Sequence, residues 1–101
     1  MEIATNLKDG TYHVTLNGKF TFSDHTEFRD ILRKMEEDNL WQVILHLGGV
    51  DFVDSAALGM LLLADEEAKK RKKNLVISGA TGQVKKMFDM AQFDKIFSMQ
   101  A

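Results

Sequence analysis

An aspartate and a serine, Asp54-Ser55, leave an apolar stretch ending in Val50-Asp51-Phe52-Val53 and open a helix-like one, Ala56-Ala57-Leu58-Gly59. At a helix N-terminus the backbone N–H groups lack intrahelical partners and the macrodipole favours negative charge. A serine hydroxyl there suits phosphoryl acceptance, since a phosphate of about −1.5 to −2 charge is tolerated by the fold and conspicuous to a partner. The competing reading is purely structural. Asp and Ser are both favoured N-cap residues, and physics alone prefers a capping role for this pair.

Other chemistry is poorly represented. His13, His25 and His46 are scattered without paired spacing, and the chain has no cysteine, so neither a metal site nor a thiol nucleophile is expected. Gly-x-Ser-x-Gly, a Walker loop and Gly-x-Gly-x-x-Gly are all missing, and Gly79-Ala80-Thr81-Gly82 is too short to cradle a nucleotide. No cofactor is expected. The basic run Lys69 to Lys73 reads as the cationic last turn of a helix, balanced by Asp65-Glu66-Glu67, with contact to an acidic partner as the weaker option.

The elements that position Asp54-Ser55 follow from periodicity. Ile3 to Leu7 and Thr11 to Leu16 read as two antiparallel strands joined by Lys8-Asp9-Gly10. Phe28, Ile31, Leu32 and Met35 mark one face of an amphipathic helix, with Asp24 and Glu27 spaced as a capping box. Gln42 to Leu47 is apolar at nearly every position, as expected of a central strand covered on both faces, with Trp41 at the core edge. A second helix is expected from Asp54 or Ser55 to near Lys73, then a strand at Leu75 to Ile77. A third helix carries Val84, Met87, Phe88 and Ala91, and Phe93, Ile96 and Phe97 lie in a closing segment. Strand-helix-strand order implies right-handed parallel crossovers, which place the functional edge at the carboxyl ends of the parallel strands. The expected fold is α/β: a mixed sheet of four to five strands packed against three to four helices.

Length and composition frame this. With 101 residues, 45% hydrophobic and 28% charged, the chain fits one domain over residues 1–101. A net charge of −2 gives no pull toward nucleic acid, and the longest apolar stretch, Ala56 to Ala64, falls far short of a bilayer span. The sequence reads as cytoplasmic, without direct membrane insertion.

With that element order, Asp54-Ser55-Ala56-Ala57-Leu58-Gly59 resembles the phosphorylation loop of STAS domains, in particular bacterial anti-sigma factor antagonists, whose pattern is Asp-Ser-Ser/Thr-Gly-Leu-Gly after an apolar strand. Leu16-Asn17-Gly18-Lys19-Phe20 and Val84 to Met90 with Phe93 and Ile96-Phe97 extend the resemblance over essentially the whole chain. It implies a partner switch rather than an enzyme. Ser55 would be phosphorylated by an anti-sigma factor that is also a serine kinase of the histidine-kinase-like ATPase fold, and a PP2C-type metal-dependent phosphatase would remove the phosphate. The unmodified form would bind the kinase and the phosphorylated form release it.

The chain departs from the pattern at Ala56 and Ala57, which replace a second hydroxyl and a glycine, and at Thr21, where many relatives carry an aspartate; Asp24 lies three residues on. The second helix is apolar almost all round. Leu58, Leu61, Leu62 and Ala68 are expected to face inward, leaving Met60, Leu63 and Ala56 partly exposed as a docking patch, with Asp54, Ala57, Thr21 and Asp24 completing the partner surface. A second reading stays open: some STAS domains are unphosphorylated subunits of membrane transport ATPase complexes, including the lipid-transport type. A third, a small enzyme using Asp54 as acid or base, requires a deep polar pocket.

Overall fold

The computed structural model describes residues 1–100. Strands β1 (Glu2–Lys8) and β2 (Thr11–Phe20) form an antiparallel hairpin. Its two-residue turn, Asp9-Gly10, has positive φ at both positions, the conformation that matches strand twist in tight hairpins. Gly10 is required for a second reason: a Cβ there would lie 2.6 Å from Cδ1 of Trp41, whose ring covers the turn. Trp41 is therefore a surface lid, 57% exposed, rather than a core-edge residue.

A 3₁₀ turn at Phe22–Asp24 leads into α1 (His25–Lys34), followed by β3 (Gln42–Val53), α2 (Ser55–Lys70), β4 (Asn74–Ser78), α3 (Gly82–Met90) and β5 (Ser98–Gln100). The sheet runs in chain order, β1-β2-β3-β4-β5, antiparallel at β1-β2 and parallel thereafter. It is the expected mixed α/β sheet, with five strands and three α-helices. Among the described residues no helix is long and apolar enough to cross a membrane.

The capping box differs from the one expected. Asp24 does not cap α1 with Glu27; its Oδ2 accepts from the Thr21 backbone N–H at 2.9 Å, while its own N–H donates to the Thr21 carbonyl at 3.0 Å. The turn before the helix uses the carboxylate first. Helix α2 also stops earlier, at Lys70, because Lys72 takes a left-handed φ of 58°. Its N–H and that of Lys73 bond back to the carbonyls of Lys69 and Ala68, a Schellman closure. Lys73 then reaches the carbonyls of Glu37 and Leu40 at 2.9 and 2.6 Å, and Arg71 pairs with Glu67 and Glu36. Lys69 pairs with Asp65, so Lys69, Arg71 and Lys73 of the basic run are engaged within the fold.

Strand β3 is covered on one face, not two. Val43, Leu45 and Leu47 are fully buried against the helices together with Val14, Leu16 and Ile77, while Ile44 and His46 alternate onto the opposite face. Every buried apolar side chain but Val76 joins a single cluster, and Val76 pairs with Ile44 on that opposite face. The opposite face carries Asn6, His13, Thr15, Ile44, His46, Val76 and Ser78 at its centre. There His13 Nδ1 and His46 Nε2 lie 2.9 Å apart. Desolvation, and then the neighbouring His13, lower the His46 pKa from its ordinary value.

Candidate functional site

The site is built where β3 ends. Val53, the last strand residue, is fully buried, and its backbone is gripped from α3. The Gln83 side-chain oxygen accepts from the Val53 N–H at 3.1 Å, and its nitrogen donates to the Val53 carbonyl at 3.2 Å. A primary amide presents one donor and one acceptor side by side, so it pairs with a peptide as a neighbouring strand would. Gln83 carries no sequence signal for this role, because the partner lies 30 residues away.

Asp54 follows in extended conformation as the N-cap of α2. Its Oδ1 accepts from the Ala57 N–H at 2.8 Å, as the capping reading requires, and its Oδ2 accepts from the Phe22 N–H at 3.2 Å. The Asp54 N–H donates to the Phe20 carbonyl at 3.3 Å. One carboxylate thus caps its own helix and ties down the connection from β2 to α1. Ser55 is the first residue of α2 and is exposed. Its Cα is set by a cap on one side and a clamped strand on the other, while its side chain faces solvent.

The remaining expected residues divide into an outer and an inner group. Leu63 is 54% exposed, and Ala56 and Thr21 are partly exposed; Thr21 Oγ1 lies 2.8 Å from Ser23 Oγ. Ala57, Met60 and Asp24 are buried, with Asp24 also 3.5 Å from the Met1 amine. The inward face of α2 is therefore Ala57, Met60, Leu61, Ala64 and Ala68, whereas Leu62 is exposed and Leu58 only partly buried. This corrects the expected assignments of Met60 and Leu62. Three alanines share the inner stripe with Met60 and Leu61, while Leu62 and Leu63 point outward.

Two aromatic residues extend the surface beyond the sequence reading. Phe22 is 62% exposed and stacks on His25 at 4.7 Å, and Phe52 projects beside Lys19, whose Nζ lies 5.5 Å from its ring centroid. Between α1 and α2 a shallow apolar groove of about 80 Å³ is lined by His25, Phe28, Arg29, Leu32, Met60 and Leu63. Two further hollows of about 170 and 210 Å³ lie elsewhere, and neither Asp54 nor Ser55 lines any of the three. Small-molecule sites usually enclose about 300–1,000 Å³.

A family model described as "Mlab, STAS domain" matches residues 3–100. A STAS-domain containing protein of Pseudomonas aeruginosa is 26% identical over 86 residues, covering 85% of this chain and 84% of its own length. An anti-sigma-B factor antagonist of Staphylococcus epidermidis is 26% identical over 90 residues, covering 89% and 83%. The Bacillus cell fate determinant SpoIIAA, solved in its phosphorylated form, superposes with a TM-score of 0.77 over 99% of this chain and 91% of its own, at 15% identity. At that identity the likeness bears on the fold alone.

Proposed function

The chain belongs to the STAS family, and on that premise we propose that residues 1–101 act as a single STAS domain in a partner-switching regulator of the anti-sigma factor antagonist type, with Ser55 as its reversible phosphorylation point. The observation that carries this reading is an exposed hydroxyl at the first position of a helix whose cap and preceding strand are both pinned, with exposed Phe22 tied to that cap and Leu62 and Leu63 exposed about two turns further along the helix. The name of the Staphylococcus epidermidis relative, an anti-sigma-B factor antagonist, points the same way.

The unmodified form binds a serine kinase that doubles as the anti-sigma factor, through Ser55, Ala56, Leu63 and Thr21, with Asp54, Ala57, Met60 and Asp24 shaping the surface from within. Phosphate on Ser55 is accommodated by the α2 terminus but stands beside the Asp54 carboxylate, and it opposes burial against an apolar or acidic partner. Desolvation and like-charge penalties of about 3 kcal/mol correspond to a change in affinity of about 100-fold, with no refolding. A PP2C-type phosphatase resets the switch, and the protein is a substrate in the cytoplasm rather than a catalyst. The test is titration calorimetry against the kinase encoded in the same genome: Ser55→Ala binds tightly and Ser55→Asp poorly, and equal binding by both overturns the reading.

One observation favours a second reading. Ala56 and Ala57 stand where the switch pattern carries a second hydroxyl and a glycine, and Ala57 is fully buried. A helix start that lacks both suits an unphosphorylated subunit that docks on a lipid-transport type membrane ATPase. Co-purification with an ATPase, with unchanged intact mass after incubation with ATP and the candidate kinase, selects that reading over the switch.

A further inference from the structure

The open face of the sheet places two of the three histidines together. His13 on β2 and His46 on β3 are 33 residues apart, and the parallel register sets His13 opposite Ile44 and His46 opposite Thr15, so the two rings meet on a diagonal. Their centroids are 5.2 Å apart with planes 13° from parallel, while the nitrogens approach to 2.9 Å. Those values hold together only if the rings lie edge to edge and nearly coplanar, nitrogen aimed at nitrogen. Face-to-face rings at 5.2 Å cannot bring their nitrogens that close.

In neutral imidazoles one ring nitrogen donates and the other accepts, so a single proton bridges the pair. A lone pair and an N–H aimed at each other make the arrangement a late transition metal displaces, because imidazole is a preferred ligand of Zn²⁺, Cu²⁺ and Ni²⁺. We propose that His13 and His46 form a two-imidazole binding site for a divalent late transition metal on the open face of the sheet. Metal–nitrogen bonds of about 2.0–2.1 Å require the nitrogens to part from 2.9 Å to no more than about 4.2 Å. Among the described residues the three α-helices bury their apolar faces in the core cluster on the other side of the sheet. The side chains directly opposite on the same face, Asn6 beside His13 and Thr15 and Ser78 beside His46, are uncharged and oxygen-bearing, and Lys8, opposite Thr11, is a cation one step along β1 on that face. Among the described residues no third histidine, cysteine or carboxylate joins the pair, so water or these oxygens complete the coordination and the affinity is that of a two-point chelate.

Holding the second imidazole in place makes its binding intramolecular, which raises affinity about 100-fold or more over a single histidine. The experiment is calorimetric titration of the full chain with CuCl₂ alone, beside His13→Ala, His46→Ala and His25→Ala. The expected result is one ion per chain, a loss of about 100-fold with either His13→Ala or His46→Ala, and no loss with His25→Ala. Paramagnetic broadening of imidazole resonances in the unmodified protein gives a check that needs no variant: His13 and His46 signals vanish at substoichiometric copper while His25 persists. Binding unchanged in the His13 and His46 variants, broadening of all three histidines alike, or no binding to the unmodified chain overturns the proposal.

Discussion

Two helices begin at the same edge of the sheet, α2 after β3 and α3 after β4, and they are built differently. At α2 the cap is a carboxylate whose two oxygens bind Ala57 and Phe22, and the first helical residue is a serine. At α3 the cap, Thr81, makes no side-chain hydrogen bond, and the first residue is Gly82 with φ of 57°. Both helices offer free N–H groups and a dipole, so these generic features do not single out a site. What distinguishes α2 is a rigid frame around an exposed hydroxyl, with Phe22 tied to its cap and Leu62 and Leu63 exposed about two turns along the helix. Gln83 links the two starts, since the second residue of α3 clamps the strand that feeds α2.

That contrast can be broken in several ways, beginning with the largest expected effect. Replacing Ser55 by Asp should cost about 100-fold in kinase affinity relative to Ser55→Ala, whereas Thr81→Asp, placing the same charge at the other helix start, should leave calorimetric affinity unchanged. Sensitivity at both positions would mean that the edge, not the α2 frame, is recognised. Leu63→Lys should weaken the complex by about tenfold through loss of an apolar contact. Its melting temperature should match the parent, because the side chain is already more than half exposed. Asp54→Ala removes a cap and a loop tie together, and urea denaturation should register a loss of about 1–2 kcal/mol; Thr81→Ala should lose no more than a few tenths. A smaller effect than that of Asp54→Ala is expected from Gln83→Ala. About 0.5–1 kcal/mol of stability goes with its two half-buried hydrogen bonds, and faster amide exchange at Val53 to Ala57 is the more specific signature. Unaltered exchange there would remove Gln83 from the frame.

Much of this frame was legible in the residues themselves. Alternation in Thr11 to Leu16, helical spacing from Phe28 to Met35, and strand-helix-strand order placed Asp54-Ser55 at the carboxyl edge of a mixed sheet, because those periodicities report directly which face is buried. The α2 stripe was misread because a helix apolar on all sides carries little directional signal. The buried stripe mixes small and large residues, Ala57, Ala64 and Ala68 with Met60 and Leu61, so hydrophobicity alone does not orient it. The burial of β3 on one face only was hidden for a similar reason, since Ile44 is apolar yet lies on the open side. Gln83 on Val53 and His13 against His46 were not legible. They join positions 30 and 33 residues apart, fixed by helix packing and strand register rather than by any local pattern.

The most direct test of the central claim is site-localised mass spectrometry of the chain after incubation with ATP and the partner kinase. A single phosphate on Ser55, lost in Ser55→Ala and not transferred to Thr21, Ser23 or Thr81, is the predicted result. No phosphate, or a phosphate on Thr81 at the other helix start, would contradict it.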